Sequence, residues 1–342
     1  MGETILDLLN NVQKDDTSNP NSRVLIIDGL NLYLRTFAVN GMLNDRGVPI
    51  GGMMGFLKSL AYAIRETNPT RLIVTYDGAG GSQRRRKLHP NYKGNRKPGK
   101  RITRWDAFKN VEEEKQAMKI QFSRLLEYLD TLPINVISID RIEADDTIAY
   151  ITNNLLKDEV IIMSADQDFL QLVNKRVTVW SPIKKIFYTP EKVLEDYGVP
   201  AHNFLMYKIL MGDKSDNLEG VKGLGPKKLP KILPDISSNP LDLDFILDYA
   251  SKGTEPMHKR IVESIDQLTL NEKLMDLKNP PISGELKLQI TRLIEAPINL
   301  LSSNSFNTMY ADDQMGNAID IPDIWLKQHF TRLNSYAKAT HE

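Results

Sequence analysis

The sequence predicts an α/β fold organised around a doubly wound parallel sheet. Three observations carry that prediction. Aliphatic runs of strand length alternate with longer stretches of helical periodicity, as in βαβ units. The runs are apolar throughout, which suits strands buried on both faces. None approaches the ~18 residues of a membrane span, so the aliphatic content belongs to a core.

The elements follow in order. Residues 1–22 read as a flexible polar leader ending in DDTSNPNS, without the basic start and apolar centre of a signal peptide. RVLIIDG is a first strand that ends in Asp28 and Gly29. GGMMGFLKSLAYAIRET reads as a helix from its apolar spacing. TRLIVTYDG is a second strand, ending in Asp77 and Gly78, with Tyr76 expected in the core. A basic segment broken by Gly and Pro comes next, a poor core element and a good mobile clamp. VEEEKQAMKIQFSRLLEYLDTL is a long amphipathic helix. INVISID is a third strand, with IEADDTIAY just beyond it, and EVIIMSADQD is a fourth that runs into Asp166 and Asp168. VTVWSP is a candidate fifth. These elements make residues 23–188 an α/β core.

Past residue 189 the pattern turns helical. TPEKVLEDYG carries a Thr cap, Pro at the first helical position and Gly past the end. The segment 189–235 also holds Asp213 and Asp216, then GVKGLGPKK. A Gly-x-Gly before a helix start is most often a tight turn. With Lys222, Lys227, Lys228 and Lys231 around it, it can also set backbone N–H groups and ammonium groups against a phosphate. Residues 236–342 contain PMHKRIVESIDQLTLNEKLMDL and IPDIWLKQHFTRLNSYAKA, which read as amphipathic helices. They show no chemical constellation and no repeat.

The 342 residues allow two domains, or one large domain with an appendage. Hydrophobic content of 41% and charged content of 26% are those of a soluble globular chain. The absence of cysteine excludes disulfides, thiolate zinc sites and cysteine nucleophiles, and fits a cytoplasmic protein. Lys and Arg number 44 and Asp and Glu 44, so the formal net charge is zero. The distribution is polarised all the same. Between Asp77 and Asp106 no acid occurs, and ten cations fall in that gap: Arg84, Arg85, Arg86, Lys87, Lys93, Arg96, Lys97, Lys100, Arg101 and Arg104. Such a window is either a solvated charge run or a grip for a polyanion.

The acids point to chemistry through topology. Glu143, Asp145 and Asp146 taken alone would read as a charged first helical turn, favoured by the helix dipole. But Asp28, Asp77, Asp166 and Asp168 also lie at strand ends, and a parallel sheet brings all of them to its carboxyl edge, where such sheets bind ligands. With Asp213 and Asp216 there are nine carboxylates. Unpaired they would repel, and some would take up protons. Divalent cations relieve that cost, and oxygen-only ligands suit magnesium or manganese. Nine is too many for one ion, whereas two ions about 4 Å apart perform in-line displacement at phosphorus. Metal-dependent phosphodiester hydrolysis is the reading the residues support.

Six stretches, IIDGLNLYLRTF, VTYDG, YKGNR, IEADDTIA, MSADQDFLQL and MGDKSDNLEGVKGLGPKK, span roughly residues 23–232. In this order they resemble the 5′-nuclease superfamily: stand-alone phage flap endonucleases, the related phage ribonuclease H enzymes, and the nuclease domain of bacterial polymerase I. The resemblance implies a PIN-like nuclease core, a helical arch over about 84–119, a helix–three-turn–helix motif and a helical C-terminal region. It implies a first metal set of Asp28, Asp77, Glu143 and Asp145, with Asp146 close by, and a second set of Asp166, Asp168, Asp213 and Asp216. Lys93 and Arg96 would contact the scissile phosphate. Tyr92 would offer a face for base stacking, and Arg84, Lys222, Lys227 and Lys228 would bind substrate. A potassium ion would sit on carbonyls near Gly223 and Gly225. The implied activity is a 5′→3′ exonuclease and flap endonuclease using two Mg2+ or Mn2+ ions. Its substrates would be branched or 5′-ended DNA and RNA/DNA hybrids. A single-strand-binding protein, clamp or polymerase would be its replication partners, and no membrane is involved.

Two other readings compete. A non-catalytic, structure-specific DNA-binding protein could use the same fold, but nine intact acids speak against it. A small-phosphate hydrolase could use a similar metal site, but the basic window and the lysines of GVKGLGPKK speak against a small substrate.

Overall fold

A computed structural model describes residues 18–95, 101–106 and 108–341. Arg96, Lys97 and Lys100 of the basic window and residues 1–17 of the expected leader lie outside the described residues. Strand β1 (Arg23–Asp28) runs into helix α1 (Gly29–Val39), which α2 (Gly51–Thr67) packs against. Strand β2 (Arg71–Asp77) leads to a short helix α3 (Gln83–Leu88) and the long α4 (Val111–Asp130). Strand β3 (Asn135–Ile139), helix α5 (Ala144–Tyr150), strands β4 (Glu159–Met163), β5 (Val177–Ser181) and β6 (Ile186–Tyr188) complete the core.

The sheet order is β3-β2-β1-β4-β5-β6, parallel except for the last pairing. The expected parallel sheet is therefore present, and the candidate fifth strand is real. β6 is an addition: with three residues it shows no readable period. β1 lies in the middle, with Ile27 paired to Val74 on one side and Met163 on the other. Its side chains split between two cores, Leu25 and Ile27 on one face and Val24 and Ile26 on the other. This is why the strand is aliphatic at successive positions and not only at alternate ones.

The glycines that follow Asp28 and Asp77 each have a packing reason. A Cβ on Gly29 would lie 2.5 Å from the Tyr76 ring, and one on Gly78 would collide with the Ile139 carbonyl. Glycine lets α1 leave β1 directly over the sheet, so that Asp28 becomes its N-cap and accepts from Asn31 N at 3.1 Å.

Helices α6 (Pro190–Tyr197) and α7 (Phe204–Met211) open the second half. α6 is capped as its sequence predicts: the Thr189 hydroxyl accepts from Lys192 N, and Gly198 takes φ 67° at the end. A two-stranded turn, β7 (Gly212–Asp213) and β8 (Leu218–Glu219), leads to α8 (Leu229–Ile232). Then come α9 (Leu243–Lys252), α10 (Pro256–Glu263), α11 (Ile265–Met275), α12 (Gly284–Glu295), α13 (Ser303–Asp312) and α14 (Pro322–Ala339).

Residues 236–342 were expected as a separate helical region, and the described residues distribute them over three cores. Ile246, Ile261 and Leu268 pack with Leu229, Ile232 and Ile236, so no boundary falls at 235. Ile290 and Ile294 of α12 join the face beneath β3 and β4. Phe306, Tyr310, Leu326 and Phe330 of α13 and α14 join Phe37, Leu57 and Tyr128 on the other face. Residues 18–22, the described end of the leader, are also tied down: Asn19 Nδ2 donates to Asp158 Oδ2 at 3.0 Å, and Ser22 Oγ bonds Thr70.

Candidate active site

The carboxyl edge of the sheet gathers the expected acids through four elements. Asp28 caps α1 at the end of β1 and is almost fully buried. Ser164, just past β4, donates to its Oδ2 at 3.2 Å. Asp77 ends β2, stays exposed, and accepts from Ala144 N at 2.7 Å at the start of α5. This bond sets α5, which Glu143 caps and which carries Asp145 and Asp146, against the end of β2. Asp166 caps the short turn after β4 and accepts from Asp168 N at 2.9 Å.

These acids crowd one another. Burial first, then the charges of Asp166 and Asp77, push the Asp28 carboxyl up to about 7 against the pull of its Asn31 bond. Burial, then Asp166 and Asp28, raise Asp145 well above the usual carboxylate range. Asp166 is raised by burial, and Asp168 is pushed up to about 7 by burial and Asp166. The strand ends thus bring together carboxyls that disfavour one another's ionisation.

Two lysines offset part of that repulsion. Lys93 Nζ lies 2.7 Å from Glu143 Oε1, and its backbone, at φ 55°, donates to Asp216 O at 3.0 Å. Asn95 Nδ2 bonds Lys214 O and Asn217 Nδ2 bonds Asn91 O at 3.1 Å. Together these contacts dock YKGN on the turn that carries Asp213 and Asp216. Lys208 Nζ lies 2.8 Å from Asp168 Oδ1 and also pairs with Asp213. Lys208 was missed in the sequence. A lysine five positions before Asp213 in the apolar run FLMYKILM is the available signal, because an ammonium buried in such a run needs an acid.

Two expectations change. Asp146 was placed near the first metal set, but both its oxygens are held by Arg85, at 2.7 and 2.8 Å, in a buried bidentate pair. Arg85 also meets Glu143 Oε2 and donates to Leu274 O at 2.9 Å. It is thus an interior bracket between α3, α5 and α11, not part of a solvated grip. Tyr92 was expected to present a stacking face. It is 4% exposed in the core of α7 to α11, with its hydroxyl 3.5 Å from Glu143 Oε2. A ring flanked by charges in sequence still buries when apolar neighbours converge on it. Near the expected potassium position, Gly223 O accepts from Lys228 Nζ at 3.1 Å, while Gly225 O accepts the backbone N–H groups of Lys228 and Leu229 at 2.9 and 3.0 Å.

Tyr76 is buried, edge-on to Phe122. Arg84 is half-buried beside Arg85, and Lys222 and Lys227 are exposed. Arg96 cannot be placed with them, because it lies outside the described residues. Among the described residues, no three acidic or histidine side chains stand in ready-made metal-holding geometry. No described helix is long and apolar enough to cross a membrane.

The architecture is shared with solved nucleases. A structure of the bacteriophage T5 flap endonuclease in a pseudo-enzyme–product complex with DNA and metal ions superposes with TM-score 0.61 at 22% identity, covering 85% of this chain and 97% of that one. The catalytic core of Rad2 with DNA substrate gives TM-score 0.53 at 16% identity, over 92% and 93%. At these identities the likeness defines the fold class, that of the flap nucleases. Sequence carries the rest. Residues 23–198 match the family described as 5′-3′ exonuclease, N-terminal resolvase-like domain. A 5′-3′ exonuclease of Bacillus subtilis (strain 168) is 30% identical over 280 residues, 78% of this chain and 87% of that protein. DNA polymerase I of Thermus aquaticus is 31% identical over 262 residues, 76% of this chain but only 29% of the polymerase. The chain belongs to the 5′-3′ exonuclease family, and as a member it is a hydrolase acting on phosphodiesters.

Proposed function

We propose that this protein is a divalent-metal-dependent, structure-specific 5′→3′ exonuclease and flap endonuclease. Its substrates are 5′ ends of DNA, and of RNA primers paired to DNA, during replication in the cytoplasm. The observation that carries the proposal is the mutual crowding of Asp28, Asp145 and Asp166 beside Lys93. Carboxylates that burial and one another push toward protonation, all with oxygen donors, fit Mg2+ or Mn2+. Asp28, Asp77, Glu143 and Asp145 would hold one ion, and Asp166, Asp168, Asp213 and Asp216 another. Asp146 stays with Arg85. Bound there, the ions supply an activated water and charge stabilisation on the phosphate.

The chain's own groups do the rest. Lys93 is poised beside the acids, its charge held by Glu143 and Asp145 against the effect of burial. When a phosphate enters, its ammonium can turn from Glu143 to the phosphate oxygens, freeing a carboxylate as it binds substrate. Arg84, with the exposed Lys222 and Lys227, offers cations to backbone phosphates, which gives affinity blind to base sequence. Selection by structure, not by sequence, follows from such contacts. A single-strand-binding protein, clamp or polymerase would be the partner that brings the enzyme to its 5′ ends.

The test is cleavage of a 5′-labelled branched duplex, one copy all DNA and one with an RNA 5′ segment, with Mg2+ or with chelator. Short products that need Mg2+ are expected, and the RNA/DNA ratio separates primer removal from general flap processing. Tight binding of the branch without cleavage of either copy would overturn the proposal.

A further inference from the structure

Glu114 is a buried carboxylate that the acidic patch does not use. It sits in the first turn of α4 at 2% exposure. A buried carboxylate is costly unless donors surround it. Here the C-terminal leg of the basic segment supplies them. Thr103 N and Thr103 Oγ1 each donate to Oε1 at 2.6 Å, and Ile102 N lies 3.1 Å from both oxygens. Burial works against ionisation, but these bonds outweigh it and hold the carboxyl below its usual range.

The same leg is fixed from its other side. Arg104 N donates to Ala38 O at 2.8 Å, and Trp105 Nε1 to Phe37 O at 3.3 Å, both at the end of α1. The Trp105 ring leaves so little room over Gly41 that a Cβ there would lie 3.2 Å from it. Thr103 faces inward, while Arg101 and Arg104, which flank Ile102 and Thr103, are exposed. One edge of the Arg101 guanidinium is fixed, with Nη2 donating to Phe108 O, and Nη1 pairs at the surface with Asp106, whose side chain is 94% exposed. Such a pair is weak and yields readily to a phosphate.

We propose that Glu114 is a positioning residue for substrate binding. Its carboxylate fixes residues 101–104 so that the Arg101 and Arg104 guanidinium groups are presented to the backbone phosphates of a branched nucleic acid. It touches no reacting atom. The inference rests on the 5′-nuclease reading above.

The test uses the full-length protein with Glu114→Ala, Glu114→Gln and, as a control on the exposed side of the same turn, Glu112→Ala. Amide hydrogen exchange at Ile102 and Thr103 reads the leg directly. Affinity for a branched duplex in chelator, measured across a salt series, reads the phosphate contacts. Cleavage with Mg2+ separates kcat from KM. Glu114→Ala is expected to speed exchange at both amides, weaken binding about tenfold and lower the salt slope by about 1, as loss of a phosphate contact does. Its kcat should hold within about twofold, since only binding contacts move. Glu114→Gln keeps one acceptor and should recover most of the affinity, and Glu112→Ala should change nothing. Should Glu114→Ala fail to fold, Thr103→Val removes one donor from the same contact and is read in the same way. Wild-type affinity and salt slope in a variant whose two amides exchange faster would overturn the inference. So would a fall in kcat with KM unchanged. If the wild-type protein itself neither binds nor cuts branched DNA, the 5′-nuclease reading fails and takes this inference with it. If the wild type works and only the Glu114 comparison is flat, this inference fails alone.

Discussion

The Lys208 ammonium lies 2.8 Å from Asp168 Oδ1 and also pairs with Asp213, so one buried cation joins α7 to the turn after β4. The three side chains are largely buried, and Asp213 also accepts from Ser215 N and Ser215 Oγ. Burial alone would lower the lysine, yet Asp168 and Asp213 hold it above its ordinary value. Removing one partner of a buried pair leaves a charge stranded, at a cost of about 3–5 kcal/mol. Lys208→Ala should therefore lower the metal-free melting temperature sharply. Added Mg2+ should raise the variant's melting temperature more than the wild type's, because the ion replaces the lost cation. Equal Mg2+ responses would show that Asp168 and Asp213 do not take part in metal binding.

The crowded acids give the metal-free protein a distinct pH dependence. Asp28 and Asp168 are pushed up to about 7, whereas an unfolded chain holds Asp near 3.9. Between those values the folded state binds more protons than the unfolded one, so stability falls as pH rises. This contribution is complete below the unfolded value and is lost as the pH passes about 7. Glu143 and Asp213 are lowered and act in the opposite sense only at more acidic pH, while His202 and His329, lowered by burial, oppose the trend within the window but are outnumbered by the raised Asp28, Asp145, Asp166 and Asp168. In chelator, melting temperature should therefore rise as pH falls from 8 to about 5.5. Saturating Mg2+ should flatten the trend by raising the alkaline side. A chelated protein whose stability is flat across this window would show that the acids are not mutually strained.

How much of this was legible depends on whether a signal is local. The aliphatic strands could be read because β1, β2 and β4 are buried on both faces, and the acids could be grouped because a parallel sheet sends its strand ends to one edge. The cap of α6 was readable to the residue, since Thr189, Pro190 and Gly198 act within one helix. Arg85 was not. In sequence it is one of four consecutive cations, and its burial is decided by Glu143, Asp146 and Leu274, which lie 58 to 189 positions away. Tyr92 failed for the same reason, because its burying neighbours come from α7 to α11. The scattering of residues 236–342 over three cores was likewise invisible. An amphipathic helix announces an apolar face and not the surface that receives it.

Asp28→Asn tests the metal set without breaking the fold. The amide oxygen can still accept from Asn31 N, so the α1 cap survives. The change removes a buried negative charge that its neighbours disfavour. In chelator the variant should be at least as stable as the wild type by thermal melting. Cleavage of branched DNA in Mg2+ should fall at least about a hundredfold, the upper range for losing even an outer-shell partner of a metal. A fully active Asp28→Asn protein would sink the site as drawn.

Neighbouring arginines in one charge run should behave oppositely. Arg85 is buried with two carboxylates, while Arg86 on the next position of α3 is exposed. Arg85→Ala would strand Asp146, leave Glu143 with Lys93 alone and free the α11 carbonyl at Leu274, and should destabilise by about 3–5 kcal/mol. Arg85→Lys should recover little, because a single ammonium cannot reproduce the bidentate bonds to Asp146. Arg86→Ala should leave the melting temperature nearly unchanged, as surface substitutions do. Denaturant titration of the three variants against wild type decides the matter. If Arg85→Ala and Arg86→Ala are equally stable, the buried bracket is not what holds α3, α5 and α11 together. Glu143 would then be set in place by Lys93 and the Asp77 bond to Ala144 alone.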